Sequence, residues 1–493
     1  MIPLAVMLVA LVADDATALR SAPDDGAPAQ ATLFRGDWVE VRGEVPGFLK
    51  VWDHRHERPG YLRPTSVRLH KTDEASADEL RFVVRFLRDA AGYESLGVGY
   101  AALYLRIATT AGQSETARAE VLGALGAMAD RLARRTSGAT TTARRTAGDV
   151  ALAGQLAVVE SYGVRFRRFE QGNRMTVCYD GDAFGRLLTM AGAPAEERAR
   201  AALSLSRRGC LDPASTPDQR RAFNEARLAL LAEASPANPA FFRLPPAVAH
   251  RLRLRTAEAL AEQAHDRAMH QAADAAAASA AEAFRLLALV DRGQLAPEDR
   301  ATVEETAVRV GAVRWLAEPP ETVARRPRFR VDVAAGRPGE SCVRLQATTT
   351  EGALAARLLA ERCTFGVVFT SSLRVAASGR VATLAVAPVS GWTELWVFRA
   401  APDGTTWRAD VIPPATGEPG SDIGYVEAAG FSPDGTRLLV ARAFRVGGNL
   451  GRRFEVLAPS SVIVERWASS PQRLGAFQRW ASPAWQKTTL AAR

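Results

Sequence analysis

Six histidines are the natural places to seek a general base or a metal ligand in this chain, and their positions narrow the chemistry sharply. His54, His56 and His70 fall near the N-terminus, His250, His265 and His270 in the middle, and none follows residue 270. A Ser-His-Asp site built wholly within the C-terminal region is therefore excluded, and GxSxG, P-loop, HExxH and strand-preceded GxGxxG patterns are all missing. Asp53-His54-Arg55-His56-Glu57 has a His-x-His spacing that could hold a metal, but in a hairpin turn it reads as solvated polar residues, so no metal site is assigned. On a helix, residues five positions apart are roughly 140° out of phase, so His265 and His270 do not share a metal. Tyr179-Asp180-Gly181-Asp182 brings two carboxylates close, as a turn and helix cap rather than an acid pair. No catalytic residue and no cofactor is assigned. The remaining route to catalysis is a carboxylate-dependent hydrolase whose acids converge only in three dimensions, acting on an envelope substrate.

The elements that must carry any other function follow from composition. With 493 residues, 47% of them hydrophobic, the chain is globular and long enough for several domains. Its net charge is +9, and the stretch from Arg325 to Arg493 carries that whole excess, 22 basic residues against 13 acidic. The densest basic cluster is Arg325, Arg326, Arg328 and Arg330, with no aromatic stacking platform beside it. It reads as a solvated face, and no nucleic-acid partner is expected. Residues 1–18 open with an apolar run, Ile2 to Ala13, before Ala16-Thr17-Ala18, whose small residues suit signal-peptide cleavage. The run is too short to span a bilayer of ~30 Å as a helix, so no integral membrane segment is expected. The favoured reading is export to the periplasm or medium. The rival is a cytoplasmic chain with a buried N-terminal strand. The four cysteines fall two by two, Cys178 with Cys210 and Cys342 with Cys363, as local disulfides in an oxidising compartment would; buried thiols are the alternative.

After a linker over 19–30, residues 31–71 alternate with period two. Val39 and Val41, then Leu49 and Val51, share one face, while Trp38, Glu40, Phe48, Lys50 and Trp52 share the other. Pro46-Gly47 supplies a turn and Arg58-Pro59-Gly60 a second break before Tyr61-Leu62. Leu33, Gly36, Asp37, Val39 and Val41, then Leu49-x-Val51, Gly60-Tyr61-Leu62 and Ser66-Val67, resemble the bacterial SH3 family. That resemblance implies a small SH3-like β-barrel serving as a noncatalytic module for cell-wall peptides or protein partners. The rings Trp38, Phe48, Trp52 and Tyr61 are the candidate ligand-binding residues, since rigid rings give large contact area at low entropic cost. Alternatively, they dock the module onto the helices that follow.

Over 76–318 the periodicity becomes helical and predicts a central all-α array. Ser76 and Glu79 have capping-box spacing ahead of Leu80, Val83, Val84 and Leu87. Similar stripes are Val121, Leu125, Met128 and Leu132, and Phe223, Ala226 and Leu230 after Thr216-Pro217 with Gln219 at the capping position. A long Ala-rich run from Val248 to Val290 suits close helix packing, with a coiled-coil dimer as its rival.

The region 325–493 reads as an antiparallel β domain holding two copies of a four-strand pattern. One copy runs from Phe365 to Val411 and the other from Tyr425 to Arg466. Phe431-Ser432-Pro433-Asp434-Gly435 resembles the hairpin of WD40 and TolB-type propeller blades, although two copies cannot close a ring. Phe329 to Leu359 is expected to add a hairpin and short helix, and Phe477, Trp480 and Trp485 to pack back onto the sheets. The expectation is a multidomain α+β protein with a recognition or scaffold role at the cell envelope.

Overall fold

The computed structural model describes residues 7–108, 112–138, 146–171, 174–233, 241, 243–318, 329–347, 357–488 and 490. The fold is mixed α+β, and contacts divide it into two compact units, Met1–Val248 and Ala249–Arg493. The helices expected to form one array are thus shared between them.

The first unit begins with seven antiparallel strands: β1 (Leu8–Val12), β2 (Thr17–Arg20), β3 (Ala29–Leu33), β4 (Trp38–Val45), β5 (Phe48–Asp53), β6 (Arg58–Leu62) and β7 (Val67–Lys71). Their order is β3-β2-β6-β5-β4-β1-β7, so the edges β3 and β7 stay apart and the sheet is not closed into a barrel. The apolar run read as a leader is laid down as β1, paired on one side with β4 and on the other with β7. Ala10 and Val12 enter the sheet core with Val39, Leu49 and Val51, while Leu11 enters the helical core. A strand buried on both faces has the continuous hydrophobicity of a signal segment, so a run of this kind suits either role. Cleavage after Ala18 would remove β1 and half of β2, and the supposed linker supplies the rest of β2 and the start of β3. The break expected at Arg58-Pro59-Gly60 lies earlier, where Glu57 takes a φ of 54°. Gly60 instead sits inside β6, because a β-carbon there would come within 2.4 Å of Leu19 on β2.

The helices of this unit are α1 (Ala77–Arg88), α2 (Glu94–Ala108), α3 (Glu115–Thr136), α4 (Ala147–Ser161), α5 (Asp182–Thr189), α6 (Ala195–Leu205) and α7 (Pro217–Glu233). α3 is the central one, its Val121, Leu125, Met128 and Leu132 all buried as the stripe required. Ser76 does not cap α1 through its side chain; it is itself held by Asp73, whose Oδ1 accepts from the Ser76 N–H at 3.0 Å. Thr216 and Gln219 do make the reciprocal pair, at 2.9 and 3.3 Å. A hairpin missed in the sequence, β8 (Phe166–Gln171) and β9 (Arg174–Tyr179), interrupts the helices. Cys178 on β9 pairs with Cys210, Cα–Cα 5.7 Å, across α5 and α6.

In the second unit the Ala-rich run is two helices, α8 (Pro246–Met269) and α9 (Ala273–Ala288), followed by α10 (Arg300–Gly311). Gln271 at φ 60° ends α8 and turns the chain back, so Arg267 donates to Ser279 Oγ at 2.7 Å. Alanines 257, 261 and 264 face alanines 280 and 283. The hairpin expected over Phe329 to Leu359 is β10 (Phe329–Ala335) with β11 (Ser341–Ala347), and β12 (Arg357–Thr364) adds a third strand, with Cys342 opposite Cys363 and bonded to it; the short helix expected in the same stretch is not among the described residues, which leave out 348–356.

The two expected copies are present as antiparallel meanders. One is β13 (Val367–Val375), β14 (Val381–Val389), β15 (Trp392–Ala400) and β16 (Trp407–Ile412). The other is β17 (Ile423–Phe431), β18 (Leu438–Val446), β19 (Asn449–Ala458) and β20 (Ile463–Ala468). Their first hairpins match: Gly379 and Gly435 have φ 64° and 72°, and Ala376 and Ser432 take the same backbone bond from across the turn. The meanders are linked by a short parallel step, Trp392–Thr393 against Gly424–Tyr425, and pack through Val397, Val426 and Val440. The other face of the first meander meets β10–β12 through Leu384, Phe398 and Val343. The other face of the second is covered by α10, α11 (Gly475–Trp480) and α12 (Pro483–Thr488), where Phe477 and Trp485 are buried and Trp480 is half-buried against them.

His265 on α8 is buried, bonds to the Ala387 carbonyl, and its pKa is pushed down to about 4 by desolvation. In the unfolded chain it would titrate near 6.5, so stability is full above that value and is lost as pH falls from about 6.5 to about 4. The loss is at most about 3 kcal/mol. Thermal melts of the wild type should show the second unit losing stability over this window, and a His265→Gln variant should show a flatter profile.

Candidate binding face

The outer face of the N-terminal sheet follows from strand alternation: with Val39, Leu49 and Val51 turned inward, Trp38, Glu40, Lys50 and Trp52 turn outward. β4 and β5 set Glu40 opposite Trp52, and β5 and β6 set Trp52 opposite Pro59 and Lys50 opposite Tyr61. Trp52 and Tyr61 are thus diagonal neighbours, both half-buried, with Lys50 exposed between them.

The four candidate rings do not line one groove. Trp38 stacks on His54, ring centres 4.8 Å apart and 14° from parallel. Its other contacts are with the helical core, and the Arg106 guanidinium of α2 lies over it at 5.9 Å. This ring docks the sheet on the helices, the alternative role raised above. Phe48 is only 3% exposed and is roofed by Arg63, 4.1 Å from its centre, which in turn binds Asp25 and the Gly47 carbonyl. Trp52 carries Arg42 at 4.7 Å. The accessible part of the face is therefore Trp52, Tyr61, Lys50 and Arg42.

Polar groups lock these rings, and composition alone did not reveal them. Glu40 accepts from Arg42 at 3.3 Å and meets His54 Nε2 at 3.0 Å, and the Arg42 hydrogen bond, followed by His54, holds its carboxyl below the usual range. A continuous string Arg106, Trp38, His54, Glu40, Arg42, Trp52 results. The available signal was the i, i+2 spacing of Trp38, Glu40 and Arg42 on one strand face.

The His-x-His tripeptide divides between two partners. His54 faces outward to Glu40, whereas His56 Nδ1 lies 2.5 Å from the buried Asp53, which also accepts from the N–H groups of Arg55 and His56. Asp37, buried beside them, accepts from the Phe34 N–H at 2.8 Å and from Arg55 at 2.9 Å. Desolvation dominates at Asp37 and raises its pKa to about 6, against the lowering by the Phe34 N–H and Arg55.

The other candidate positions scatter. Tyr179 Oη accepts from the Ala183 N–H at 2.7 Å, Asp180 turns to Arg165 and Arg167, and Gly181 at φ 92° caps α5. In the second unit a cavity of about 170 Å³ is lined by Glu304, Tyr425 and Arg452 with apolar walls of Ala307, Val308, Ala443 and Leu450. The buried ion pair of Arg314 with Glu427 borders a gap of only about 10 Å³.

A raised acid is protonated in the fold at pH values where the unfolded chain is charged, so Asp37 favours folding most below about 4 and that advantage is lost as pH rises through about 6. Asp37→Asn, which keeps an acceptor for Phe34 and Arg55, should remove this slope. Proteolysis or hydrogen exchange of residues 31–71 between pH 4 and 7 measures it.

Compared with known proteins, the chain matches no family model, no curated protein and no solved structure.

Proposed function

We propose that this is a noncatalytic recognition or scaffold protein of the cell envelope, whose N-terminal sheet takes a protein or cell-wall peptide partner on its outer face. The single observation that carries the reading is the strip of half-exposed Trp52 and Tyr61 with Lys50 between them and Arg42 above. It is held on a sheet already rigid through Trp38 and the buried Asp53 and Asp37. Rings of this kind, pre-ordered by their neighbours, form contacts at little entropic cost. The likeness of Leu33, Gly36, Asp37 and the following strands to bacterial SH3 modules supports the same role.

Two cysteine pairs at disulfide distance are consistent with an extracellular or periplasmic location. Among the described residues no helix is long and apolar enough to cross a membrane. Export adds the oxidising setting in which both disulfides close.

The experiment is titration of the purified chain with soluble cell-wall peptides and with envelope extract, read by tryptophan fluorescence and by co-purification. Trp52→Ala and Tyr61→Ala should each weaken binding by about tenfold or more, as for rings at the centre of an interface. Phe48→Leu, beneath Arg63, should leave it unchanged. Equal binding by the wild type and the double variant Trp52→Ala/Tyr61→Ala would remove the outer face from the proposal.

A further inference from the structure

Among the described residues, the most exposed large apolar side chains are two phenylalanines on one helix. Phe82 and Phe86 of α1 are 70% and 75% exposed. Four residues apart, they form one continuous patch. The inner face of the same helix is fully used, since Leu80, Val84 and Leu87 are buried in the helical core. Rings with this much free area on a helix already anchored by its other side mark a contact surface rather than a core that failed to close.

The polar groups around the patch identify what fits it. Its exposed face carries Asp78 and Glu79 at the N-terminal end and Arg85 toward the C-terminal end, Asp78 and Arg85 on one flank of Phe82 and Glu79 and Phe86 on the other. The Arg85 side chain is 52% exposed although it also binds Glu120 of α3. An arrangement with acid before the ring and base after it is self-complementary under a two-fold axis.

We propose that this face binds a second copy of the chain, α1 against α1 and antiparallel, with the axis passing beside Phe82. The two Phe82 rings then meet at the centre. Asp78 of each copy faces Arg85 of the other, and each Phe86 covers the Glu79 turn of the opposite helix. One helix from each copy makes an interface smaller than the roughly 1,200 Å² of a standard complex, so the dimer is weak, with a dissociation constant on the order of 10–100 µM.

Sedimentation equilibrium of the full chain over a range of concentrations bracketing that value tests this. The wild type should show a monomer–dimer equilibrium that weakens with added salt. Phe82→Glu, at an exposed position that the fold does not need, should be monomeric throughout while melting as the wild type does. Asp78→Arg and Arg85→Glu each place like charges opposite one another and should weaken dimerisation by about tenfold. Mixed in equal amounts they should associate again, because on the facing flank one copy then offers only cations and the other only anions. A wild type that stays monomeric, a Phe82→Glu chain that dimerises equally, or a mixture no stronger than its separate components would each overturn the proposal.

Discussion

The first unit depends on the double burial of β1. Val9, Ala10, Leu11 and Val12 are all essentially removed from water, and alternate residues serve different cores: Ala10 and Val12 complete the packing of the sheet while Leu11 meets Ala101, Tyr104 and their neighbours in the helical layer. At about 25 cal/mol per Å² of apolar surface, four such residues stabilise the unit by several kcal/mol. Their geometric effect matters as much. With β1 in place, β4 and β7 are held at a fixed spacing, Gly36 is pressed against the backbone at Ser95, and Tyr162, at the C-terminal cap of α4, donates to the Gly36 carbonyl. The orientation of Trp38, and through it of the whole outer face, is inherited from that seam.

The second unit is built by stacking, and the stack is finished at both ends. The central layers are apolar on both faces, as β14 illustrates with an unbroken buried run from Val381 to Ala387. The end layer β10–β12 is different: its outer face carries Arg330 bonded to Gln346 and Arg344 bonded to Glu361 at 2.7 Å. Charged pairs of this kind cannot be covered by another apolar sheet without a desolvation cost. At the opposite end α10, α11 and α12 cover the second meander. The unit of construction is therefore a four-stranded meander with a Gly-terminated hairpin, used twice.

Much of this was legible because it rests on short-range pattern. Inner and outer residues of β4 and β5, the buried stripe of α3, both meanders and the closing aromatic segment follow from periodicities of two and 3.6. What was not legible depended on what lies on the far side of an element. The run at Leu8–Val12 has no periodicity because both its faces are covered, and the Ala-rich run hides its turn because Gln271, an ordinary residue, adopts the left-handed conformation. The hairpin at Phe166–Tyr179 carries one local signal, the Gly-Asn dipeptide between Phe166–Gln171 and Arg174–Tyr179, set within a helical stretch that masks it. At the candidate site the rings could be named in advance, but their guanidinium covers could not: Arg63 reaches Phe48 from a position 15 residues away, and only the folded sheet makes them neighbours.

The placement of β1 also orders events during synthesis. This pentapeptide leaves the ribosome before both of the strands that flank it, and the helical layer that shields Leu11 includes Phe184, Leu187 and Ala201. Until β7 and α2 have emerged an apolar segment therefore waits without its partners, and the helical layer over it is completed only with α6, whereas each meander of the second unit closes among residues close in the chain. Nascent chains interrupted before α6 would expose that segment to chaperones and to aggregation, which makes the amino-terminal half the slow and vulnerable part of biogenesis.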